Sequence, residues 1–131
     1  MALPAIGVRL LDAGDSALTV EFGDRIDPAL LAAVAALDND IAREQAAGRL
    51  PGLIETMPTF RSLTLFFDPL VTHRGALIEA LQPLVDAAGH AAPVAGRGWR
   101  LPVCYEGEAG PDLADTALAI GASVDELVAR V

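Results

Sequence analysis

A chain of 131 residues, 53% hydrophobic and 21% charged, has the size of one domain and the apolar side chains to hide about two-thirds of its surface. That composition excludes intrinsic disorder, and Cys104, the sole cysteine, excludes a disulfide framework. The net charge of −9 argues against nucleic acid or an anionic membrane as partner, because the nine basic residues, all arginine, form no stripe beyond Arg97 and Arg100.

Val8–Leu11 and Ala17–Phe22 are β-prone runs around the turn-forming Asp12-Ala13-Gly14-Asp15-Ser16, which predicts a hairpin. Leu18, Val20 and Phe22 alternate with Ala17, Thr19 and Glu21, giving one buried face and one wet one. A helix follows, with Asp27 as N-cap and Pro28 at its first position, where no N–H is needed. Leu30, Val34, Leu37 and Ile41 form its apolar stripe, widened by Leu31, and Gly48 marks its end. Leu53–Met57, closed by Pro58, and Ser62–Phe67 predict a second pair of strands. A second helix is expected over Arg74–Ala88, with Leu77, Leu81, Leu84 and Val85 on one face and a kink or break at Pro83.

Residues 1–88 thus read as ββαββα, a two-layer α+β domain with a four-stranded sheet and both helices on one face. Residues 89–97, small and Gly/Pro-containing, read as a linker. Beyond it Trp99–Tyr105 is an expected strand, and Asp112 an expected cap for a short helix carrying Leu113, Ala117 and Ile120. Ser123-Val124-Asp125-Glu126 is a capping box that announces a last helix. No run approaches the roughly 20 apolar residues of a membrane span. Met1-Ala2-Leu3-Pro4 lacks the basic start of a signal peptide, so the expected compartment is the cytoplasm.

Little catalytic chemistry is offered. The phosphate-binding loop and the nucleophile elbow are both missing, and Gly96-Arg97-Gly98 is an incomplete dinucleotide fingerprint. His73 and His90 read as surface residues, away from metal-ligand spacing with Cys104. Cys104 itself, between Val103 and Tyr105, reads as a small strand hydrophobe rather than a nucleophile. Glu106, Glu108 and Asp112 read as a solvated loop and a helix cap rather than a cation site. In Pro58-Thr59-Phe60-Arg61-Ser62-Leu63 an aromatic and an arginine stand in a connection, where binding residues are often presented; a tight turn with Phe60 packed on the core is the favoured alternative.

Three segments, in order along nearly the whole chain, resemble one family. They are Gly14-Asp15-Ser16-Ala17-Leu18-Thr19-Val20-Glu21-Phe22-Gly23, then Pro58–Leu63 with Phe67-Asp68-Pro69, and finally Leu101-Pro102-Val103-Cys104-Tyr105-Glu106-Gly107-Glu108-Ala109-Gly110-Pro111-Asp112-Leu113. The family is that of the B subunit of bacterial 5-oxoprolinase, also known as allophanate hydrolase subunit 1 and as the KipI-type histidine kinase inhibitors. The resemblance implies a ββαββα domain followed by a cyclophilin-like β-barrel domain that starts near Pro102-Val103-Cys104-Tyr105. It also implies partners, the C and A subunits of a 5-oxoprolinase-type complex, in the ATP-dependent opening of 5-oxoproline to glutamate, the lactam being activated by phosphorylation. No cofactor is expected on this chain itself; ATP belongs to the whole complex. Glu106 stands where the family usually has Gly, and Phe60 where Tyr is common. The family pattern continues into Gly/Pro-rich segments beyond Val131, so residues 98–131 are expected to be the incomplete beginning of the second domain, and no catalytic residue is carried over. Arg61, Tyr105, Glu108 and Asp112 are the candidates for an inter-domain or partner-facing surface. The rival readings are a module that docks on a sensor histidine kinase and inhibits it, and a homo-oligomer formed through a sheet edge.

Overall fold

The computed structural model of the chain describes residues 7–93 and 95–130, which fall into two compact units divided between Ala95 and Gly96. The signal-free start expected at Met1–Pro4, Val94 of the expected linker, and Val131 lie outside the described residues.

The first unit runs β1 (Arg9–Asp12), β2 (Ala17–Glu21), α1 (Pro28–Ala46), β3 (Leu53–Pro58), β4 (Ser62–Phe67) and α2 (Arg74–Ala88). All pairings are antiparallel, in the order β1-β2-β4-β3, so each hairpin contributes one central and one edge strand. The register sets Leu18 opposite Leu65 and Val20 opposite Leu63. The alternation read from the sequence therefore delivers four fully buried aliphatics to one face. Leu37 and Ile41 of α1 and Leu81 and Val85 of α2 join them in a single core, and the two helices pack on each other. On the helix-free face Thr19 and Thr64 share a hydrogen bond of 2.8 Å.

Asp27 caps α1 as expected, Oδ1 accepting the Ala29 N–H at 2.8 Å with Pro28 at the first position. That bond, backed by Arg25, holds its carboxyl below the usual carboxylate range. Leu31 does not widen the buried stripe; it is half-exposed, because the core already takes Leu30, Val34, Leu37 and Ile41 from the adjacent face. The expected break at Pro83 does not occur either. α2 continues from Arg74 to Ala88 because Leu81 on one side of the proline and Val85 and Ala88 on the other are buried. Their packing offsets the roughly 3 kcal/mol that a proline costs inside a helix. His73 is the N-cap of α2, its Nδ1 accepting the Ala76 N–H at 3.2 Å.

The sheet edge at β3 is interrupted at both of its ends. Gln45 of α1 donates its Nε2 to the Leu53 carbonyl at 3.0 Å, the pairing with β4 slips at Ile54, and Pro58 ends the strand without an N–H.

In the second unit the expected strand at Trp99–Tyr105 is irregular. Among the described residues no strand lies beside it, and extended backbone without a partner has no ladder to join. Trp99, Leu101 and Val103 are exposed, with Arg97 stacked over the Trp99 ring at 3.9 Å. A 3-10 turn (Gly107–Ala109), α3 (Leu113–Ala119) and α4 (Val124–Val128) follow. Asp112 stands at the N-cap position of α3, yet its side chain makes no capping bond, because its backbone does not take the extended shape that aims a cap inward. Ile120 falls just past the end of α3 and is exposed. Ser123 and Glu126 do form the capping box of α4. The two bonds from Ser123 hold the Glu126 carboxyl below its usual range.

Candidate functional site

Arg61 sits in the β3–β4 connection, a turn fixed by Thr59 N–H donating to the Ser62 carbonyl at 2.8 Å and Ser62 N–H to Thr59 Oγ1 at 3.2 Å. Phe60 at its tip is 63% exposed, so the expected packing on the core is not found. Arg61 instead folds back along β2. Its Nη1 donates to the Gly23 carbonyl at 2.7 Å and lies 3.3 Å from Glu21 Oε2, while its own carbonyl accepts the Phe22 N–H at 2.9 Å. Arg9 Nε donates to the other Glu21 oxygen at 2.8 Å. Glu21, only 8% exposed, is thus a carboxylate held between two guanidinium groups. Both of its oxygens are engaged, which leaves it no role as a base; the cluster straps the end of β2 to the hairpin beside it. Sequence reasoning named Arg61 but placed Glu21 on the wet face. The pairing depends on strand register across 40 positions of chain, and no local pattern announces it.

The other three candidates, Tyr105, Glu108 and Asp112, lie in the second unit. Here the chain turns back on itself: a Cβ added at Gly110 would come within 2.7 Å of the Tyr105 carbonyl, so only glycine lets the two segments approach. Tyr105 lines an open cleft of about 720 Å³, whereas Glu108 and Asp112 stand exposed on the loop outside it. Val103, Leu113, Val124 and Val128 supply the apolar wall, and Cys104, Glu106 and Asp125 the polar groups. Cys104 is an exposed thiol rather than the buried strand residue expected, for want of a strand to bury it. Glu106 and Asp125 are the carboxylates of the lining, and among the described residues neither hydrogen-bonds the Cys104 thiol. Among the described residues no three His, Cys, Asp or Glu side chains converge in a way that would hold a metal ion.

A nucleoside triphosphate does not fit these residues. Phosphates favour free N–H groups at helix starts, and at each of α1, α2 and α4 one such group is already taken, by Asp27, His73 and Ser123. Asp112 and Asp115 put carboxylates at the start of α3, and Glu106 and Asp125 line the cleft, where they would repel an anion.

Residues 8–131 match the family model described as carboxyltransferase domain, subdomain C and D. The B subunit of 5-oxoprolinase from Bacillus subtilis (strain 168) is 31% identical, the match covering 88% of this chain and 50% of the relative. The crystal structure of a conserved uncharacterized protein from Pyrococcus horikoshii superposes with a TM-score of 0.55 at 30% identity, over 92% of this chain and 53% of that one. The N-terminal domain of the histidine kinase inhibitor KipI from Bacillus subtilis shares the fold of the first unit: TM-score 0.54 at 21% identity, over 67% of this chain and 93% of that domain. The chain spans about half the length of the first two. With a family model that takes in both units and a relative above 30% identity, the chain belongs to the carboxyltransferase-domain family, subdomains C and D, that includes the 5-oxoprolinase B subunit.

Proposed function

We propose that the chain serves as part of the B-type component of a hetero-oligomeric, ATP-dependent amide hydrolase of the 5-oxoprolinase type, and that it is not catalytic alone. The observation that carries this reading is the 31% identity with the 5-oxoprolinase B subunit. In this reading ATP is used by the full complex, in the cytoplasm. Residues 89–97 act as a linker and residues 98–131 open a cyclophilin-like domain. Arg61, Tyr105, Glu108 and Asp112 then belong to inter-domain or partner-facing surfaces, Arg61 by shaping the hairpin that presents Phe60. No helix among the described residues is long and apolar enough to cross a membrane.

The test is reconstitution with the A and C subunits from the same organism, assayed for ATP-dependent formation of glutamate from 5-oxoproline. Hydrolysis that requires this chain supports the reading. Failure to associate with those companions, together with tight binding to the dimerisation domain of a sensor histidine kinase, overturns it in favour of a kinase-inhibitor role.

A further inference from the structure

At the end of the sheet opposite Phe60, the β4–α2 loop presents Leu70 at 94% exposure and Val71 at 59%. Such exposure usually accompanies a mobile loop, yet this one is pinned. Asp68 accepts the Leu70 N–H on Oδ1 at 2.9 Å and the Val71 and Thr72 N–H groups on its carbonyl at 3.0 Å, and its own N–H donates to the Gly52 carbonyl at 2.8 Å. Gly52, at φ +83°, is where the loop rests: a Cβ there would meet Thr72 at 2.9 Å. Two residues beyond Gly52, Ile54 is 62% exposed. A rigid apolar knob loses little entropy when it is bound, as interface anchors require.

Charge identifies the occupant. Every arginine of the first unit is paired with a carboxylate, including the two at this end, Arg49 with Glu44 and Arg74 with Asp12. Asp68 in the loop, Glu55 opposite Phe66, and Asp15 beside Ser16, whose carbonyl accepts the Phe67 N–H, form no ion pair with a cation among the described residues. A second copy docked symmetrically would set these carboxylates against themselves. Resting on the functional reading above, we infer that Leu70, Val71 and Ile54 form a docking knob for a companion subunit that offers an apolar pocket with a basic rim.

Binding of the whole chain to the A and C subunits is measured by calorimetry at low and high salt. Leu70→Ser and Leu70→Ala are expected to weaken it about tenfold, and an Asp15→Lys/Glu55→Lys double variant to weaken it and flatten its salt dependence. Leu31→Ser, on a distant half-exposed site, is expected to bind as the parent does. Thermal unfolding confirms that each variant is folded. Parent-like binding by both Leu70 variants overturns the knob while leaving the functional reading intact. No binding by the parent overturns both, and Leu70-dependent self-association without companions assigns the knob to a second copy instead.

Discussion

Among the described residues Glu21 is the charged side chain that the first unit buries, and Arg9 and Arg61 hold one of its oxygens each. Replacing Arg61 by Ala leaves that carboxylate with one partner and frees the Gly23 carbonyl; a loss of about 1–3 kcal/mol is expected, read by urea denaturation. A Glu21→Ala, Arg61→Ala double variant is expected to lose less than the sum of the single changes, because the second removal finds the interaction already gone. Asp27 and Glu126 carry a pH signature. Both carboxyls titrate below their usual range in the folded chain, for Asp27 through the Ala29 N–H and for Glu126 through Ser123. Their stabilisation is therefore complete above the ordinary carboxylate range and is lost as pH falls below about 4. Asp27→Ala is expected to lower the melting temperature by about a few degrees at pH 7 and by much less at pH 3. Asp27 was legible because capping is local; Glu21 was not, because burial of a strand residue depends on what lies across the sheet.

Among the elements, the helices and hairpins of the first unit stand within a residue or two of where their periodicity puts them, since caps, prolines and glycines act over a few positions. The misreadings share a cause. Leu31, Phe60 and Cys104 all carry side chains that favour burial, and each is exposed because burial needs a neighbour that sequence pattern does not locate. Of the candidate residues, Tyr105 was named from a motif as part of an inter-domain or partner-facing surface; the cleft it lines, with Val124 and Val128, depends on α4 folding back and has no local signal. Pro83 offers a direct test at this scale. It lies exposed inside α2, so Pro83→Ala restores a backbone donor without touching the core. A gain of about 1–2 kcal/mol is expected, below the full helix cost because the unfolded chain also gains freedom; urea denaturation of the variant beside the parent reads it.

At the scale of the molecule, the first unit has a complete core of its own, and the fold it shares with the isolated N-terminal domain of KipI covers nearly all of that domain. Residues 1–95 expressed alone are expected to unfold in one cooperative transition near that of the whole chain; a molten spectrum would contradict it. The second unit has little to hold it, Ala117 being its buried hydrophobic residue among those described. Its cleft and bare apolar segment are the surfaces on which any further structure must build. The smallest device with the widest consequence is Gln45. By occupying the Leu53 carbonyl it takes one acceptor from the β3 edge, the row of backbone groups on which a strand of another chain could pair. One side-chain amide thus withholds an acceptor that a bare edge would offer to any passing strand.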